Sequence, residues 1–234
     1  MEPNIYLQSS VWFANLGGNG TTGTAKSSRT FDVGDTLDLG GKEKVPSFDA
    51  FFRWGKSRVI FSWNKGSYSG DNHLHDDLGF NGLTFPAGGK LRSDLDYDRR
   101  RLLYGRPLLD GKRLALGFLI GLESYRVDAN LRMKGTGSGS SGLDSRVPVL
   151  GASLTLSLVP GLRIYGEATS TSWERSGIKS KLISAYGDIE YSFISDILAV
   201  TLGYRYSYLD ADQPGEHSFV LRQEGAFAGL ALKL

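Results

Sequence analysis

Apolar and polar residues alternate with a period of two along most of this 234-residue chain, as they do in strands that have one apolar face. In the stretch Val149 to Leu158, Leu150, Ala152, Leu154, Leu156 and Leu158 share one parity, and Gly151, Ser153, Thr155 and Ser157 the other. Pro160-Gly161 then marks a tight turn. Beyond it Arg163, Tyr165, Glu167, Thr169 and Thr171 lie together, opposite Leu162, Ile164, Gly166 and Ala168. Ser184, Tyr186, Asp188, Glu190 and Ser192 repeat the pattern after Ser176-Gly177. So do Leu198, Val200, Leu202, Tyr204, Tyr206 and Tyr208 after Ser195-Asp196. The closing segment sets Ala228, Leu230, Leu232 and Leu234 against Gly225, Gly229 and Lys233.

The first half reads similarly. Ile5 to Phe13 is a candidate first strand, Val45 to Trp54 and Arg58 to Tyr68 flank Gly55-Lys56, and Asp110-Gly111 joins two long runs, Lys90 to Leu109 and Arg113 to Asn130. The reading gives an all-β chain of about ten antiparallel strands, with eight or twelve also compatible, and no helix. The Gly/Ser stretches lie between strands as loops, so residues 1–234 form a single domain.

Alternation alone fits both a soluble barrel or sandwich and a membrane barrel with its apolar face outward. Three features favour the membrane barrel. Connections alternate between tight (Gly55-Lys56, Asp110-Gly111, Pro160-Gly161, Ser195-Asp196) and long (Asn15 to Lys44, Ser69 to Gly89, Arg132 to Gly142, Asp210 to Glu216), with Ser176-Gly177 a short exception. Outer-membrane barrels pair short periplasmic turns with longer external loops. The polar face is rich in Gly, Ser and Thr, which suits the crowded inside of a narrow barrel. Its larger members have both signs: Asp49, Arg53, Arg101, Glu123, Arg163, Glu167, Asp188, Glu190, Arg205 and Lys233. Finally, Trp54, Tyr104, Tyr191, Phe193, Tyr206 and Tyr208 gather near strand ends on the apolar face, at headgroup level.

Composition narrows the function classes. Charge is nearly balanced, 27 Lys plus Arg against 25 Asp plus Glu, and no concentrated basic face speaks for nucleic acid. Zero Cys removes disulfides, thiolate metal sites and Cys nucleophiles. The longest apolar run, Leu114 to Leu122, is far short of the ~20 residues a membrane helix needs. The start, Met1 to Tyr6, has neither a basic region nor an apolar one. For an outer-membrane protein the expectation is a removed export signal, with Met1 supplied for expression.

On these residues the chain resembles bacterial outer-membrane β-barrel proteins. Its last residues, Gly229-Leu230-Ala231-Leu232-Lys233-Leu234, resemble their terminal assembly signal, with Leu234 where an aromatic residue usually stands. The resemblance implies a Gram-negative outer membrane, insertion by the barrel-assembly machinery, contact with the bilayer and lipopolysaccharide, termini in the periplasm and long loops outside. A monomer is the expectation for oligomeric state.

The sequence has no P-loop, GxSxG, HExxH or dinucleotide motif in the right context. Asp71-Asn72 with Asp76-Asp77 lacks EF-hand spacing, and neither metal nor cofactor is expected. His73, His75 and His217, with Asp76 and Asp77, are the weak catalytic candidates for a rim-located protease or lipid A-modifying hydrolase, because a carboxylate can orient a His as general base. The charged inward set reads either as the lining of a narrow, porin-like pore or as a salt-bridged plug, and the plug is favoured. The main expectation is a non-enzymatic barrel whose loops bind something; the alternatives are the rim hydrolase and a soluble β-barrel binding protein. Detergent dependence separates the last from the others: a soluble barrel stays dispersed without detergent, and a membrane barrel aggregates.

Overall fold

The computed structural model describes residues 4–22, 29–175, 178–193, 196–213 and 217–234. Their strands are β1 (Ile5–Thr22), β2 (Arg29–Asp32), β3 (Lys42–Trp54), β4 (Ser57–His73), β5 (Leu78–Phe80), β6 (Leu83–Phe85), β7 (Lys90–Asp110), β8 (Leu114–Met133), β9 (Gly137–Val159), β10 (Leu162–Arg175), β11 (Ile178–Phe193), β12 (Leu198–Gln213) and β13 (His217–Lys233). Among the described residues there is no helix. Ten strands, all but β2, β5 and β6, form one antiparallel wall in chain order, and β13 returns to pair with β1 from Tyr6↔Lys233 to Thr22↔His217. The wall is therefore a closed ten-stranded barrel, which leaves no sheet edge at its base.

The tight turns and both termini share one end, here the turn end. Ile5 N–H donates to Leu234 O at 2.9 Å, and Arg53 N–H to Asn4 O at 2.8 Å. Gly161 has φ 81°, the left-handed conformation that a type II turn needs after its proline. Of the predicted turns, Ser195 and the Ser176-Gly177 link lie outside the described residues, as does 214–216 of the Asp210–Glu216 connection.

The far connections differ from expectation. β1 runs to Thr22 rather than Phe13, and the predicted Arg132–Gly142 loop shrinks to a turn between Met133 and Gly137. Its Gly and Ser residues read as flexible, but pairing with β8 from Gly137↔Met133 onward overrides local preference. The two longest predicted loops hold structure of their own. β2 bonds to β1 from Asn19↔Asp32 to Thr22↔Arg29. β5 and β6 form a hairpin around Asn81 (φ 47°) and Gly82 (φ 76°), the paired positive φ of a type I′ turn.

The strands are longer than a membrane requires, and their polarity changes halfway. On the outward row of β8, Leu114, Leu116, Phe118, Ile120 and Leu122 give way to Ser124, Arg126, Asp128, Asn130 and Arg132. The apolar part spans nine residues, matching the ~9–11 of a tilted membrane strand. β7 follows suit, with Leu102 and Tyr104 outward in one half and Asp96, Asp98 and Arg100 in the other. The inward rows change in the opposite sense. Arg101 and Arg99 of β7 give way to Tyr97, Leu95 and Leu91, and Glu123 of β8 to Tyr125, Val127, Leu131 and Met133. In the half carrying the tight turns, lipid is outside and charge inside. In the other half, the loop half, water is outside and an apolar core inside. That core also takes Phe31, Val33, Leu37, Leu39, Leu74, Leu78, Phe80 and Phe85 from the folded loops.

The outward rows generate a test. Leu202 stands mid-belt on β12 and is 59% exposed; Leu202→Arg is expected to cost about 2–4 kcal/mol in unfolding from phospholipid vesicles. Asn130→Arg, on the outward row beyond the belt, is expected to stay within about 0.5 kcal/mol. Urea titrations of the two variants check the contrast.

Candidate functional site

The turn half of the lumen holds a layer of paired charges. Arg101 of β7 pairs with Glu167 of β10 across the lumen, and Arg205 of β12 reaches Asp49 of β3, Nη2 to Oδ2 2.5 Å. Arg99 pairs with Glu123 on the adjacent strand and extends Nη2 to Ser184 Oγ of β11 at 2.7 Å. Nearer the turn end Glu190 takes both Arg163, at 2.7 Å, and Lys233. Tyrosines add further donors: Tyr165 OH to Glu167 Oε2 and Tyr186 OH to Asp188 Oδ2, each 2.5 Å. The Arg205 guanidinium lies over Phe227, 4.6 Å from the ring centre, and 5.0 Å from that of Tyr186. Buried charge is tolerated only when paired or hydrogen-bonded, and these side chains supply one another's partners.

Of the candidate lumen residues, the structure places Asp49, Arg101, Glu123, Glu167, Asp188, Glu190 and Arg205 buried on inward rows, and Arg53 and Arg163 half-buried on theirs. Three members were not singled out from the sequence. Gln8 donates Nε2 to Thr201 Oγ1 at 3.1 Å, and Arg58 donates Nη2 to Ser153 Oγ at 2.6 Å and to Tyr165 OH at 3.1 Å. The third is Arg99. Its parity was the available signal: in the Arg99-Arg100-Arg101 run only Arg100 faces out, toward Asp98 at 3.0 Å.

The histidine candidates are dispersed. His73 ends β4, paired with Lys90 of β7, while His217 starts β13, paired with Thr22 of β1 and Gln213 of β12. His73, His75, Asp76 and Asp77 are exposed, and Asp77 Oδ1 accepts the Ala87 N–H at 2.8 Å, fastening its own loop. Among the described residues no cluster of three metal-ligating side chains occurs.

The loop half contains the feature that sequence reasoning missed, a cavity of about 440 Å³. Phe31, Leu37, Phe80, Leu95, Val127, Ala129, Leu143, Ala211 and Phe219 make its apolar wall. Thr21, Asn81, Ser140, Ser141 and Ser218 contribute neutral polar groups, and no charged side chain lines it. At ~30 Å³ per molecule of liquid water, 440 Å³ is ~15 waters, within the range of small-molecule sites. Phe80 and Asn81 belong to the β5–β6 hairpin, which roofs the space. Asn81 Nδ2 donates to Ser140 O at 2.8 Å, fixing the roof to β9. The period-two pattern does carry a signal for this core, because the apolar parity of β8 switches between Leu122 and Tyr125.

The charge layer can be tested through its cross-lumen pair. Asp49→Asn leaves Arg205 buried without its counter-charge and is expected to cost about 3–5 kcal/mol. Pairing it with Arg205→Met is expected to recover most of that loss. Unfolding midpoints in detergent, read by gel mobility, compare the two.

No family model matches the sequence, and no curated protein matches it. Among solved structures the barrel is similar to the outer membrane protease OmpT from Escherichia coli, with TM-score 0.65 and 12% identity over 99% of this chain and 97% of that one. Weaker similarity is found to the translocator domain of autotransporter NalP from Neisseria meningitidis, TM-score 0.48 and 12% identity over 99% and 89%. Neisserial surface protein A gives TM-score 0.39 and 12% identity over 99% and 97%. Of the three, the OmpT superposition is close enough to show a shared architecture, and at 12% identity it speaks for the fold and not for the chemistry. With its apolar outward belt, charged lumen and closed antiparallel wall, the chain has the fold of the bacterial outer-membrane β-barrels.

Proposed function

We propose that this protein is a non-enzymatic, non-conducting barrel of the bacterial outer membrane that captures a small, uncharged, apolar molecule in its loop half. The observation that carries this reading is the apolar cavity of about 440 Å³ stacked on the charge layer. A ligand in the cavity meets apolar walls and a few neutral polar groups, with no charged side chain in reach. A charged ligand would lose hydration without gaining a counter-ion. An apolar one gains by leaving water, at about 25 cal/mol per Å² buried. Hydroxyls of Thr21, Ser140, Ser141 and Ser218 and the Asn81 amide suit a single neutral polar group on the ligand.

In this reading the turn end and both termini face the periplasm, and the loop half stands outside among lipopolysaccharide headgroups. Its outward charges, such as Arg126 paired with Asp144 at 3.0 Å, suit that surrounding. The barrel-assembly machinery inserts the chain, and the monomer is the working unit, since closure of the wall needs no second copy. Cross-lumen contacts such as Arg101–Glu167 and Tyr125 OH–Ser207 Oγ, 3.0 Å, block solute passage.

Two measurements test the proposal. N-phenyl-1-naphthylamine, an apolar fluorescent probe, is expected to bind the reconstituted barrel saturably. Ala129→Trp, which fills the cavity from β8, is expected to weaken binding at least about tenfold, roughly 1.4 kcal/mol; equal binding by both proteins refutes the cavity as the site. In planar bilayers the wild-type barrel is expected to show no steady openings, and large stable conductance refutes the closed lumen.

A further inference from the structure

Among the described residues two ladders of the barrel wall stop short in the loop half, and the chain treats the two breaks differently. The β3–β4 ladder stops at Ser47↔Asn64, although β4 continues to His73. The segment after β2 fills that break: Asn72 Nδ2 donates to Asp35 O at 2.8 Å and Thr36 O at 3.2 Å. It packs so closely that a Cβ on Gly70 would collide with the backbone oxygens of Leu37 and Asp38. The β9–β10 ladder stops at Leu150↔Ser170. Beyond it β9 continues, from Val149 to Gly137, bonded to β8 on one side. β10 ends at Arg175 and is bonded there to β11 alone. Among the described residues no strand pairs with this stretch of β9 on its β10 side. The β5–β6 hairpin rests on its far end, with Phe80 against Gly139 and the Asn81 amide on Ser140 O, and leaves the part from Ser141 to Val149 as the notch.

The second break leads to the cavity. Extending the β9–β10 register would set Arg175 beside Ser145, so Ser140 to Leu143 rise above the β10–β11 hairpin, and these four residues line the cavity. Below the cavity the lumen is crossed by side-chain contacts such as Tyr125 OH to Ser207 Oγ, 3.0 Å, and Arg101 to Glu167. The floor of the notch lies at the edge of the lipid-facing belt. Leu150, 64% exposed, is the last outward apolar residue of β9 before Pro148 and Arg146, and on β10 the outward row passes from Ala168 to Ser170 and Ser172. The lip above this floor suits the headgroup zone. Lys179 and Lys181 are exposed on the hairpin's outer face with Glu174, Asp210 and Asp212 as cross-strand neighbours, so the lip is a polar surface of mixed charge. Trp173, on the inward row of β10, is 44% exposed, an amphipathic ring at the depth where such rings concentrate.

We propose that the apolar ligand enters the cavity sideways, from the surface of the outer leaflet, through the notch between β9 and β10 and over the β10–β11 lip. The route takes a lipid-dissolved molecule to the apolar wall without an excursion into bulk water. This inference rests on the cavity being a ligand site, and the test separates the two claims. The chain has no cysteine, so Ser172→Cys, exposed on the lip, takes a biotin-maleimide selectively and then binds streptavidin. Lys65→Cys, on the outward face of β4, carries the same adduct away from the notch. N-phenyl-1-naphthylamine is delivered from phospholipid vesicles and its loading followed by fluorescence. Streptavidin at position 172 is expected to slow loading at least about tenfold with an unchanged end point, and at position 65 to leave the rate unchanged. Equal rates with the two adducts overturn the side entrance while leaving the cavity reading intact. Absence of saturable probe uptake by the unlabelled wild type overturns the cavity reading and the entrance with it.

Discussion

Away from a β-bulge a strand cannot turn its outward side chains inward. The register shifts of β7 (Pro107/Leu109) and of the β9–β10 ladder (Leu162/Arg163) lie at the turn end, so the architecture follows from that constraint combined with a change of solvent. Each long strand passes from lipid into water while its pleat keeps one row outside and one row inside. The outward row must then change from apolar to polar where the belt ends, as β8 does between Leu122 and Arg126. Once water replaces lipid, the loop half must bury apolar surface to hold together. Its inward row therefore changes the other way, from Glu123 to Val127 and Leu131. The molecule is a membrane barrel and a water-exposed barrel built on the same strands, with opposite polarity.

The junction between the halves gives the interior its character. In the turn half, ions are protected from lipid by the wall and from one another's repulsion by close pairing, as between Arg205 and Asp49. Such pairs add little net stability relative to a well-packed apolar core, but they make a firm floor. The loop half adds chain segments from the two longest connections, and Phe31 and Phe80 arrive in the lumen from those segments rather than from the wall. These two short elements fill the space inside the wall only in part, and the cavity lies between them and the wall. The open β9 edge follows from unequal lengths, since β9 continues past the β10–β11 hairpin.

How much of this was legible varies by element. The belt and lumen parity of β10, β11 and β12 could be read directly, because Ile164, Ile189 and Leu202 alternate with Glu167, Asp188 and Arg205 without interruption. The loop half was harder. Gly137 to Gly142 resembles a loop by composition, and only the hydrogen bonds offered by β8 make it a strand. Asn81-Gly82 between Phe80 and Leu83 is a hairpin signal inside a segment that is otherwise polar and reads as a loop. The cavity joins Phe31, Leu95, Leu143 and Phe219, positions far apart in the chain that no local period relates.

By itself, then, the sequence determined the strand type, the near-complete strand set and the rows that face lipid, because period-two polarity is a local property tied to the pleat. Only the tertiary structure decided which charges pair across the lumen, how the long connections fold back into the barrel and where the wall stays open. Those outcomes depend on register and closure between distant segments. The same inward arginine finds its counter-charge on a neighbouring strand, as Arg99 does with Glu123, or across the lumen, as Arg101 does with Glu167, according to where the ring of strands places it.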